Sequence, residues 1–282
     1  MIFFVALSLI LFIQLTENPH LFSGRKLVVL DAHRHFQKHP GGVAINVVTE
    51  GEEYEDQLSA FTPTVGNPRE YFPGTVFRFP LRTDAQAARS RIKDTATYAD
   101  EILKLLRLFC RDELEEVVLF LKHVANIEVR HISDEGVETL LGKVVMQRPQ
   151  ESISGTYSCR ITVTGENGVQ STRNWCFYHL SIDKAEAKTI LESRLQYDIG
   201  DKLTIEKLNP VVDLALPMDG TSIKSKLYTL LPLPITTEFP VHINAVFALT
   251  PDRQSLKNSL EVGVQKSRER CVFLSCTSID IN

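Results

Sequence analysis

The 282-residue sequence has no glycine-framed phosphate loop: neither GxxxxGK[ST] nor GxGxxG occurs in it. Phosphate binding needs backbone N–H groups free to approach the anion, usually through glycines at a helix N-terminus. The one glycine pair, Gly41-Gly42, leads into a strand-like segment instead. Nothing here binds a nucleotide unaided. GxSxG is absent as well, and no Ser or Cys is framed by glycines, so a hydrolase has no nucleophile motif. Cysteine is sparse and odd in number. Cys110, Cys159, Cys176, Cys271 and Cys276 show no CxxC spacing, which excludes a disulfide framework and points to reduced thiols. Charge of one sign is not in excess: 31 basic against 35 acidic residues give a net charge of −4, with no basic surface for nucleic acid. Long apolar runs are missing too. The longest, MIFFVALSLILFI at residues 1–13, is too short to span a bilayer comfortably.

That opening run has three readings. It is a buried helix or strand, or the core of a signal or membrane anchor, or it follows a start codon, Met1, that is not the true beginning of the protein. No Lys or Arg precedes it and no small-x-small cleavage site follows. The expected location is cytoplasmic, with a secretory or membrane-anchored protein as the alternative, and membrane partners are not expected.

Other chemistry-bearing residues are few. His33, His35 and His39 lie close together, and His33 and His35 share a face of an extended chain. No fourth ligand stands at an obvious spacing, so the expectation is an exposed histidine cluster and no metal site. The acidic pairs Glu52-Glu53 and Glu115-Glu116 are expected to be solvated; the second falls in a predicted helix, where adjacent positions do not share a face.

What is present is an α+β pattern. RKLVVLD (25–31) reads as a short buried strand and VAINVVTE as a second. Residues 51–74 read mostly as loop. TVFRFPL alternates with period two, and Pro80 sets its end at an edge or bulge. Residues 84–122 read as one broken helix or a helical pair, with Asp84 as N-cap. IEVRHI alternates as a strand. TLLGKVVMQRP, TYSCRITVT and WCFYHLSI follow, with a tight-turn signal at Glu166–Gly168. A helix capped by Asp183 comes next, then the apolar segments VVDLALPMDG, KLYTLLPLPI and VHINAVFALT. The units are expected at 14–135 and 136–259, with an irregular tail at 260–282.

Five separated segments carry a resemblance, in order: LTENPHLFSGRKLVVLDAH (Leu15–His33); HPGGVAINV with YEDQLSAF; PGTVFRFPLRT (Pro73–Thr83); EEVVLFLKHVANIEV (Glu115–Val129); and LPLPITTEFPVHINAVFALTPDRQSL (Leu231–Leu256). Together they resemble the sacsin family, relatives of the ninety-kilodalton heat-shock chaperones. The resemblance implies part of a GHKL-type (Bergerat) α/β sandwich lobe followed by a second, middle-type α/β domain. It implies a truncated lobe, because the family's Asn/Asp helix and glycine-rich boxes would lie upstream of the LTENP-like segment. Thr75, with Gly74, matches the family's adenine-holding threonine motif, and a plain strand threonine is the other reading. Arg253 matches a basic residue that reaches the γ-phosphate in related chaperones, and a surface turn arginine is the other reading. His242 and Asn244 are expected to stabilise a domain junction. The family's glycine after that Asn is Ala245 here. The implied function is a chaperone or co-chaperone acting through protein clients or chaperone partners, without cofactor. The alternative is an ATPase, using ATP and magnesium, whose site is completed by a missing segment.

Overall fold

In the computed structural model the described residues are 14–33, 41–149, 155–187, 189, 210–247, 249–250 and 254–256. The chain divides into two compact units, residues 1–105 and 106–282.

The first unit is built on a four-stranded antiparallel sheet. Its strands are β1 (His20–Gly24), β2 (Lys26–Asp31), β3 (Gly41–Asn46) and β4 (Phe72–Arg78), in the order β3-β2-β1-β4. Gly24, at φ +62, turns β1 into β2, a conformation that strains residues with a Cβ. Phe22 stands opposite Leu27 on β2 and Val76 on β4, and Leu27 stands opposite Ile45. This face is buried with Leu58 and Phe61. Leu58 comes from helix α1 (Glu55–Ser59), while Phe61 immediately precedes helix α2 (Thr62–Val65). Segment 51–74 therefore contains a 3₁₀ turn at Gly51–Tyr54 and two short helices, where loop is expected. Its apolar anchors fall one helical turn apart, and Pro63 suits the first turn of α2.

The opposite face is apolar as well. Leu21 stands between Val28 and Phe77, and Val28 stands opposite Ala44, giving one row across all four strands. Phe77 is 40% exposed and stacks on Phe79 at 6.2 Å.

Helix α3 (Asp84–Ala87) is capped by Thr83 rather than Asp84. Thr83 and Gln86 form a reciprocal capping box, which satisfies two backbone donors at once. Helix α4 (Ala99–Asp112) buries no side chain. The apolar residues that follow it are buried in irregular turns rather than in a second helix: Leu114, Val117, Val118, Leu119 and Phe120. Arg148 fixes these turns by donating to the carbonyls of Val118 (3.3 Å), Lys122 (3.4 Å) and Leu121.

Among its described residues the second unit carries eight strands: β5 (Asn126–Ile132), β6 (Glu138–Gln147), β7 (Gly155–Gly165), β8 (Gln170–Ser181), β9 (Val211–Pro217), β10 (Lys226–Thr229), β11 (Leu231–Thr236) and β12 (His242–Ala245). Their order is β11-β10-β12-β9-β8-β7-β6-β5. All neighbours are antiparallel except β10 and β12. Strand β5, expected in the first unit, is hydrogen-bonded along β6, so this unit begins well upstream of residue 136. The turn at Glu166–Gly168 is present, with Gly168 at φ +76. At one edge β11 includes Pro232 and Pro234. One sheet face packs Trp175, Phe177, Ala215 and Tyr228 against the turns after α4. The other packs Val212, Leu227, Ile243 and Ala245. Asp183 caps a helical turn through Ala185 N at 2.8 Å. Most of the helix expected there, and the tail from residue 257, lie outside the described residues.

Candidate functional site

Thr75 lies on the exposed face of β4, directly opposite Ser23 of β1. Its hydroxyl is 3.0 Å from Ser23 Oγ, and Ser23 donates to the Gly74 carbonyl at 3.0 Å. With the Ser23 proton committed there, Thr75 is the donor of the pair and its lone pairs remain open as acceptors. Gly74 faces the other way. A Cβ there would fall 2.8 Å from the Phe72 ring, so the glycine lets that ring lie against its own strand and reach Phe22.

The segments on either side of this strand meet in a buried ionic cluster that the sequence reading did not single out. Glu17 and Arg82 are 2% and 1% exposed and form an ion pair. Arg82 also donates to the carbonyls of Gln14 at 2.8 Å and Thr16 at 3.4 Å. The second Glu17 oxygen lies 2.8 Å from His33 Nδ1. Arg91 N–H donates to His33 Nε2 at 2.9 Å, so the imidazole hydrogen sits on Nδ1, toward the carboxylate. His33 is therefore half-buried and engaged, not part of an exposed cluster. His35 and His39 lie outside the described residues. Among the described residues no group of three or more His, Cys, Asp or Glu side chains could hold a metal. Nearby, Arg78 and the buried His20 ring meet at 3.0 Å. Burial, and then the Arg78 charge, push His20 down to about 4.

In the second unit the PVHIN segment organises another network. His242 is fully buried, with its ring stacked on Trp175 at 5.6 Å. Trp175 Nε1 donates to Glu115 at 2.8 Å, and Arg173 pairs with the same carboxylate at 3.3 Å. Glu116 pairs with Lys226 Nζ at 2.9 Å and faces His242 Nε2 at 3.6 Å. Burial pushes the Glu116 carboxyl up, but His242 and Lys226 outweigh it and hold the group below its ordinary range. The expectation that Glu115 and Glu116 are solvated is thus overturned. They lie in irregular turns rather than a regular helix, so adjacent side chains both reach the sheet.

Asn244 completes the row on this face. It donates to Asp213 Oδ2 at 2.8 Å and accepts from Leu230 N at 2.8 Å. Asp213 Oδ1 lies 2.5 Å from His179 Nδ1. His242 and Asn244 thus brace β12 against β9 and β10 inside this unit. Ala245 is buried, where its methyl packs in the second apolar layer. Arg253 lies outside the described residues. Burial pushes the Cys159 thiol up to about 11 and also raises Cys110, so these two thiols offer little reactivity.

Residues missed from sequence are those whose partners are distant in the chain. Glu17 and Arg82 are 65 positions apart. Their only local signal is a charge set beside apolar runs.

With this geometry in hand, comparison with known proteins gives two matches. The family model described as "Sacsin domain" matches residues 11–141. The human protein Sacsin (Homo sapiens) is 27% identical over 289 aligned residues, covering 86% of this chain. The chain spans 6% of the length of that relative.

Proposed function

From the Sacsin-domain match over residues 11–141 and the 27% identity to human Sacsin, we propose that the chain is a sacsin-family protein that acts through protein contacts, as a chaperone or co-chaperone in the cytoplasm that binds no ATP of its own. The observation that carries this reading is the outer face of the first sheet. Leu21, Val28, Ala44 and Phe77 form a row across it, and Phe77 is 40% exposed. An antiparallel sheet with one solvated face ordinarily alternates apolar and polar residues. The run Leu27-Val28-Val29-Leu30 does not, so both faces of β2 favour an apolar neighbour. Four strands at about 4.8 Å make a face roughly 19 Å across. About thirteen residues of helix span that distance, a size that suits an apolar stretch of a client protein.

Two experiments test the reading. The chain is expected to slow aggregation of a thermolabile model client, and Phe77→Asp to abolish that effect while leaving the circular dichroism spectrum unchanged. Titration calorimetry with ATP and magnesium is expected to give no heat of binding; micromolar affinity would sink the proposal.

A second reading is favoured by one observation. The Thr75 hydroxyl stands on that same outer face with open acceptor capacity, as expected of an adenine-holding threonine in a GHKL lobe. On this reading a further protein segment completes an ATP and magnesium site over the sheet, and Arg253 is a candidate for the γ-phosphate. ATP binding gained when such a segment is supplied would distinguish it.

A further inference from the structure

His242 and Tyr228 are both fully buried. Each ends in a polar atom with no hydrogen-bond partner among the described residues, His242 Nε2 and Tyr228 OH. Strands β10 and β12 lie side by side with Tyr228 opposite Asn244. His242 is two residues before Asn244 and so on the same face. The two rings meet edge to face at 5.3 Å.

The hydrogen on His242 can be assigned. Lys226 N–H donates to His242 Nδ1 at 3.1 Å, which makes Nδ1 the acceptor and places the hydrogen on Nε2. That donor faces Glu116 Oε1 at 3.6 Å, too far for a direct hydrogen bond. At such a separation a water that touches both groups is the alternative to a direct bond. The other Glu116 oxygen is taken by Lys226 Nζ at 2.9 Å. Burial first, and then the Glu116 and Glu113 carboxylates, push the Tyr228 phenol up, so its hydroxyl keeps its proton.

We propose that one ordered water is held here, accepting from His242 Nε2–H, donating to Glu116 Oε1 and hydrogen-bonding Tyr228 OH. The ligand class follows from the donor set. A carboxylate opposes an anion, and the Lys226 ammonium already supplies the cation. A molecule that both donates and accepts satisfies all three ends, and three partners is the usual number for a buried water. Leaving two buried polar atoms unpaired costs more than immobilising that water. The water ties the turn that carries Glu116 to β10 and β12.

The sign of one substitution tests this. Tyr228→Phe removes a hydroxyl and little else. If the hydroxyl binds water, its loss lowers the midpoint of thermal unfolding by about 2–4 °C. If the hydroxyl is unpaired, its loss leaves the midpoint unchanged or raises it, which overturns the proposal. A high-resolution crystal structure of the full chain is expected to show density within hydrogen-bond distance of all three atoms. A direct His242–Glu116 contact with no density between them overturns the proposal, and this observation decides alone if the variant does not fold.

Discussion

Asn244 holds Leu230 in a left-handed backbone conformation. Leu230, at φ +70, is the one non-glycine residue with positive φ among the described residues, and its N–H donates to Asn244 Oδ1 at 2.8 Å. That conformation costs a residue with a Cβ about 1–2 kcal/mol, so something must hold it. The side-chain amide is itself fixed by Asp213. Asn244→Ala removes the acceptor and leaves the buried end of the turn unpaired. Stability is expected to fall by about 1–3 kcal/mol. Chemical denaturation measures it, and a loss under about 0.5 kcal/mol would contradict this account of the turn.

The Glu17–Arg82 pair makes the largest expected effect. Both groups are almost fully buried, and removing one strands the other charge in the interior. Arg82→Ala is expected to cost about 3–5 kcal/mol. Arg82→Lys should also be costly, because a lysine cannot reach Glu17, Gln14 and Thr16 with one planar fork. Denaturant midpoints for the two variants check this; wild-type stability in Arg82→Lys would argue against the fork.

A pH dependence follows from His20. Its folded pKa is depressed to about 4, chiefly by burial and then by Arg78, against 6.5 when unfolded. The unfolded chain therefore binds the proton more readily than the folded one. Stability from this group is intact above pH 6.5 and declines as pH falls from 6.5 toward 4. His20→Gln is expected to flatten that part of the stability profile. An unchanged slope in the variant would assign the acid sensitivity elsewhere.

Trp175 is the sole tryptophan, fully buried, with its N–H on Glu115. Its fluorescence is expected to be blue-shifted and poorly quenched by acrylamide, and its change on unfolding reports on the second unit. Glu115→Ala takes away a charged hydrogen-bond acceptor and is expected to cost about 1.5–3 kcal/mol. An equally stable variant with the same emission would show that the bond contributes nothing.

The strands were legible because their signals are local. Alternation in β4, the turn residues between β7 and β8, and the apolar run in β2 each lie within a few positions. The segment 113–120 was not. Its apolar spacing matches a helix, yet the sheet face decides its path, and Leu114 to Phe120 are buried in turns instead. That departure also hid Glu115 and Glu116, whose partners Trp175 and Lys226 come from strands far along the chain. Thr75 was legible as a strand threonine. Its partnership with Ser23 depends on the register of β1 against β4, which no short window contains. The segments LTENP and PLRT, which carry part of the resemblance, meet through Glu17 and Arg82.

Strand β11 has a consequence for how copies of this chain meet at high concentration. Two of its six residues are prolines, which bring no N–H to a hydrogen-bond ladder. A strand arriving to extend the sheet at that margin finds gaps in the donor row. Growth of the eight-stranded sheet into a fibre is therefore discouraged on that side.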